Sequence, residues 1–123
     1  MSALRALCAP WWLPGGHAQT IWGAKLARHA PASAPQLRWQ RERWATPDAD
    51  FIEVDFLDAP AAAGAPLLVL FHGLEGSSAS HYAQAFAHWA QAAGVQLVVP
   101  HFRGCSGPLN LAPRAYHSGD YQE

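Results

Sequence analysis

The apolar run Leu67-Leu68-Val69-Leu70-Phe71 leads directly into His72-Gly73-Leu74-Glu75-Gly76, and serines follow at 77, 78 and 80. A strand that stops at His-Gly and re-enters a helix through a second glycine reads as a strand-to-helix loop. Such loops aim backbone N–H groups at a substrate oxygen. Acyl transfer needs donors without a countercharge, and the N–H just after His-Gly, that of Leu74, is the candidate oxyanion donor. One donor of this kind contributes roughly 3–4 kcal/mol of transition-state stabilisation. His72 and Gly73 then support the loop, with the imidazole as a brace. An ordinary glycine turn between strand and helix is the alternative reading of the same residues.

Other chemistries fit these residues less well. A Walker loop needs lysine after its last glycine, whereas Ser77 follows Gly76, and Glu75 puts negative charge where phosphate would sit. A dinucleotide fingerprint lacks its third glycine and the acid at the end of the next strand. The closest approach to a local nucleophile is Gly104-Cys105-Ser106-Gly107, but Pro108 stands where an elbow wants glycine, and loop follows where a helix is needed. Arg103 beside Cys105 favours a thiolate, yet no histidine is placed to complete a pair. The seven histidines include no H-x-x-x-H or H-x-H spacing, and His81 and His88 read as an exposed helix face, so no metal is expected. No cofactor is expected either.

Four elements must hold the His-Gly loop. Residues 1–36 read as an N-terminal wrap, in which Pro10 to Gly23 is rich in turn formers and indoles and shows no helical or strand period. Trp11, Trp12 and Trp22 suit core cover, with a lipid-binding mouth as the alternative. Residues 37–57 read as a β-hairpin around TPDAD, with Ile52, Val54 and Phe56 facing the core and Glu53 and Asp55 facing water. After an Ala/Pro/Gly connector, residues 67–100 form a βαβ unit. Its first strand, Leu67 to Phe71, has no polar alternation and so reads as buried on both faces. Its helix, of about 14 residues, presents Tyr82, Phe86, Trp89 and Ala93 to the core, with Ser78 or Ser80 as cap and Gly94 as stop. Val95 to Pro100 supplies the second strand. Residues 101–123 read as loop at the carboxyl edge of the sheet, where open α/β folds place ligands.

Composition agrees with one α/β domain or part of one: 123 residues, 50% hydrophobic, 14% charged, net charge −1. There is no basic field to attract nucleic acid. Cys8 and Cys105 form no C-x-x-C pair and read as free thiols. The N-terminal apolar patch lacks a signal-peptide cleavage pattern, and the longest apolar stretch falls short of the about 20 residues that cross a bilayer. These features suggest a cytoplasmic chain with little tendency to associate with membranes.

Phe71-His72-Gly73-Leu74-Glu75-Gly76-Ser77, His101-Phe102-Arg103-Gly104-Cys105-Ser106-Gly107, Tyr116-His117-Ser118-Gly119 and Gly16-His17-Ala18-Gln19-Thr20-Ile21 together resemble the N-terminal portion of the YheT-like branch of the α/β-hydrolase superfamily. That branch includes bacterial hydrolases and eukaryotic membrane-associated lipases and esterases. The resemblance implies the N-terminal part of an α/β-hydrolase fold, with an incomplete sheet, acting on carboxylic esters of short- to medium-chain or lipid-like acyl groups. It places Leu74 in the oxyanion loop after the third strand and residues 103–107 in the turn after the fourth. The serine elbow, acid and histidine of the family lie downstream of Glu123, so no triad residue is present and the chain alone is expected to be inactive. A noncatalytic binding or scaffold domain derived from a hydrolase is the alternative. In the family the serine-bearing strand pairs beside the third strand. Without it Leu67 to Phe71 becomes an apolar edge and self-association is expected.

Overall fold

The computed structural model describes residues 8–26, 35–74 and 76–117. In chain order the elements are helix α1 (Gly16–Ile21) with a π-type extension (Trp22–Leu26), strands β1 (Trp39–Ala45), β2 (Phe51–Leu57) and β3 (Leu67–Val69), helix α2 (His81–Ala93) and strand β4 (Gln96–Pro100). The four strands form one sheet in the order β1-β2-β4-β3. β1 and β2 are antiparallel, β2 and β4 antiparallel, and β3 and β4 parallel. The hairpin followed by a βαβ unit is therefore present, as a mixed α/β sheet.

The hairpin turn closes where Thr46 N–H donates to Asp50 O at 3.0 Å, and Ala49 takes the left-handed conformation at φ 62°. This register sets Arg41 opposite Asp55 and Arg43 opposite Glu53. α2 ends at Gly94, whose φ of 66° is the left-handed cap that glycine adopts without penalty. The core lies between α2 and one face of the sheet. Ala87 and Ala90 meet Leu97 and Val99, and Leu57, Leu68 and Leu70 pack around them.

Four expectations need correction. Pro10 to Gly23 is not all loop, because α1 and its extension begin at Gly16. α1 has no buried residue, so it carries no amphipathic period to read. α2 turns Ala83, Ala87 and Ala90 inward, while Phe86 and Trp89 are about half exposed. A stripe of small side chains lets helix and sheet approach closely, and the large rings fall on the outer face; His81 and His88 are half-buried. β2 is covered on both faces at its centre: Val54 is buried as expected, but Glu53 and Asp55 are buried too, with charged and hydroxyl partners, while Ile52 and Phe56 are only partly covered. β3 is not buried on both faces. It is an edge strand, and Leu67, Val69 and Phe71 are 53%, 42% and 65% exposed.

Candidate functional site

The candidate site is the pair of loops at the carboxyl ends of β3 and β4, residues 71–80 and 101–107. His72 joins them. Phe102 N–H donates to His72 Nε2 at 2.9 Å, so that nitrogen carries the lone pair. The proton then sits on Nδ1 and is donated to Gly73 O at 2.8 Å. Both ring nitrogens are used by backbone, and the ring is buried against Phe102 at 4.8 Å between centroids. Burial depresses the His72 pKa, the bond to Gly73 O opposes this, and the neighbouring His101 depresses it further. A neutral imidazole is what both bonds require. His72 thereby links the backbone of the two loops.

Gly73 N–H donates to Tyr82 Oη at 2.8 Å, and Gly76 N–H donates to Gly73 O at 2.9 Å. This fold-back explains Gly76: a Cβ there would stand 2.5 Å from Tyr82 Oη, 2.9 Å from His72 Cβ and 3.0 Å from Gly73 O. The peptide N–H groups at 73 and 76 are thus occupied within the loop. Among the described residues, nothing accepts from Leu74 N–H, and Leu74 itself is 88% exposed. At the far end of the loop Ser80 caps α2 without a side-chain bond to the helix; its Oγ instead accepts Ser77 N–H.

Behind the loops lies a buried polar network that sequence reasoning did not find. Asp55 accepts Arg41 Nε and Nη2 at 2.7 and 2.9 Å in a two-pronged pair, and its Oδ2 also accepts Ser78 Oγ at 2.5 Å. His101 Nε2 lies 3.1 Å from the same Oδ2, which places its proton on Nε2 and directs it at the carboxylate. Nε2 is also 3.4 Å from Ser78 N, but a nitrogen donating to Asp55 is not an acceptor, so the carboxylate contact decides the tautomer. Asp55 is held well below the usual carboxylate range. Burial works against ionisation there and is outweighed by the hydrogen bonds from Arg41, His101 and Ser78. Ser78, His101 and Asp55 are the residue types of a catalytic triad but not its geometry. A relay needs histidine between serine and acid, whereas here serine and histidine share one carboxylate oxygen and all three are buried. The network is a clamp: Arg41 Nη1 also donates to Ser106 O at 2.8 Å, tying the second loop to β1.

A second clamp holds the rest of the loop after β4. Buried Asp50 accepts Leu111 N–H at 2.8 Å, Ala112 N–H at 3.0 Å and Phe51 N–H at 2.8 Å, and pairs with Arg103 Nη1 at 2.8 Å. Arg103 Nη2 reaches Asp48 at 2.9 Å, and chiefly this bond lowers the Asp48 pKa to about 2. Arg103, in the turn after β4, is therefore an anchor to the hairpin turn. A readable signal existed for part of this, since a hairpin closed at TPDAD sets Arg41 and Arg43 opposite Asp55 and Glu53. The serine and histidine partners of Asp55 come from loops that no local pattern positions.

Leu74, His72 and Gly73 lie in one loop, with His72 beside Phe102 and Tyr116, whose rings stack at 5.0 Å. Of the Tyr116–Gly119 motif, residues 118 and 119 lie outside the described residues, as does Glu75. Among the described residues no helix is long and apolar enough to cross a membrane.

A mixed α/β sheet with an N–H-bearing loop at the strand ends is a frame compatible with hydrolases. Comparison in sequence is more specific: the chain is 48% identical over 86 residues to "Putative esterase YheT" of Escherichia coli (strain K12), a match covering 69% of this chain and 25% of YheT. Over this stretch the chain is a sequence relative of YheT. It spans about a quarter of the length of that relative. No protein-family model matches. Two solved structures of esterase Est22 align at 16% identity and a TM-score of 0.44, covering 61% of this chain and 23% of theirs.

Proposed function

We propose that this chain supplies the oxyanion side of a serine-type hydrolase of carboxylic esters, within the N-terminal part of an α/β-hydrolase fold. The observation that carries this reading is Leu74 N–H, left without an acceptor among the described residues, in a loop where the amides of Gly73 and Gly76 are bonded and both ring nitrogens of the histidine are held by backbone. Kinship to YheT supports it. In the mechanism a serine attacks the ester carbonyl, and the tetrahedral oxyanion accepts from Leu74 N–H and from the amide after that serine. Leu74 N–H needs no reorganisation, because His72, Tyr82 and Gly76 fix the peptides around it. The sequence contains no G-x-S-x-G, and this reading assigns the nucleophile to none of these 123 residues. Substrates are short- to medium-chain or lipid-like esters.

The test is a chimera in which the matched stretch of this chain replaces the corresponding stretch of YheT. Hydrolysis of p-nitrophenyl butyrate at a rate comparable to YheT is expected, with none from the 123-residue chain alone. A folded chimera that falls well below YheT in the same assay, or hydrolysis by the chain alone, contradicts the reading.

A further inference from the structure

We propose, resting on the ester-hydrolase reading above, that Tyr82 is a positioning residue of the oxyanion loop: its hydroxyl holds the Gly73 amide so that Leu74 N–H is the one presented to substrate. Two amides stand side by side in this loop. One is bonded by a side chain, and the other has no acceptor among the described residues.

The direction of Leu74 N–H follows from its own peptide unit. The described residues contain no cis peptide bond, and in a trans peptide the C=O and N–H point in opposite directions. Gly73 O accepts His72 Nδ1–H at 2.8 Å and Gly76 N–H at 2.9 Å, so this carbonyl is turned towards the His72 ring and the fold-back. Leu74 N–H therefore points away from them. What remains free is rotation about Gly73 itself. Glycine allows a wide range of φ and ψ, and a Cβ there would meet only Tyr82 Oη, at 4.0 Å, so sterics do little to fix it. The preceding peptide must be held by bonding, and its N–H donates to Tyr82 Oη at 2.8 Å.

Tyr82 is well placed to hold it. It lies in the first turn of α2, and α2 is seated by Ala83, Ala87 and Ala90, all fully buried, the last two against β4. The hydroxyl thus carries the position of the helix to the loop. The loop is shaped around it, for Gly76 lacks the Cβ that would stand 2.5 Å from Oη. Gly73 N–H, one residue from Leu74, is also a rival donor, and bonding to Tyr82 withdraws it. Without the phenol oxygen the Gly73 peptide is free to turn, and Leu74 N–H loses its fixed aim. Stabilisation by an oxyanion donor depends on that aim being set before the reaction.

Tyr82→Phe in the YheT chimera keeps the ring and removes the acceptor. Its kcat for p-nitrophenyl butyrate should fall at least about threefold, the share of one hydrogen bond, with KM unchanged. Replacing the Leu74 amide by an ester should then cost at least about threefold less in the Tyr82→Phe chimera than in the parent, because both changes act on one donor. In the 123-residue chain, where no catalysis is involved, Tyr82→Phe should speed hydrogen exchange at Gly73 and leave exchange at Ala90 in α2 as it was. A smaller fall in kcat, a loss confined to KM, strictly additive effects or unchanged exchange at Gly73 overturns the proposal. If instead the parent chimera is inactive, or the Leu74 ester by itself leaves kcat unchanged, the ester-hydrolase reading fails and the positioning role fails with it.

Discussion

Replacing Asp55 with asparagine tests the buried network behind the candidate site. The side chain keeps its size but loses its charge, and its NH₂ must face either Arg41 or the Ser78 and His101 donors. Removing one partner of a buried ion pair costs about 3–5 kcal/mol. Arg41 is 41% exposed at its side chain, so water relieves part of its loss. Ser78 and His101 have no such relief, and hydrogen bonds to a charged group contribute about 1.5–3 kcal/mol each. A net loss of about 3 kcal/mol is expected, a large part of the stability of a small domain. With a urea slope of about 1–3 kcal/mol/M, the midpoint falls by at least about 1 M. Tryptophan fluorescence reads this directly, since Trp39 and Trp44 flank Arg41 on β1. A loss under about 1 kcal/mol at unchanged slope, matching that of the exposed control Asp58→Asn, would refute the clamp.

Acid should act on the same group. The Asp55 carboxyl titrates below its unfolded value of about 3.9, so its contribution is complete above that value and is lost as pH falls towards the folded pKa; Asp55→Asn should flatten the acid limb of a stability–pH curve. His72 also titrates below its unfolded value, about 6.5, and stability should decline as pH drops below about 6.5. In His72→Gln, whose amide oxygen can accept Phe102 N–H, that decline should be absent from urea midpoints measured across the range. Gly76→Ala should cost about 1–3 kcal/mol by overpacking and speed hydrogen exchange at Gly73, where Tyr82 is displaced. Tyr82→Phe, which removes only the acceptor of Gly73 N–H, should cost about 0.5–1.5 kcal/mol in the same unfolding assay.

Much of the sheet was legible because its signals are local. The TPDAD turn, the apolar runs of β3 and β4 and the glycine stop of α2 each fix an element from neighbouring residues. Sidedness was harder, because it is set by what packs from elsewhere. Glu53 and Asp55 look like a solvent face until the hairpin register brings arginines opposite and the loops bring Ser78 and His101. Phe86 and Trp89 look like a core face until the alanines claim the close contact with β4. At the site, the strand-to-helix turn at His72-Gly73 was legible because its glycines and the apolar run before them are adjacent in the chain. The clamps that fix it join residues 14 to 65 positions apart, and no spacing rule reaches that far.

The central claim rests on one N–H. Incorporating the α-hydroxy analogue of leucine at position 74 of the YheT chimera replaces that amide with an ester and leaves the side chain in place. A fall in kcat of about 10²–10³-fold with little change in KM is expected for loss of one oxyanion donor, with unchanged urea stability. A kcat within about threefold of the unmodified chimera would contradict the assignment of Leu74.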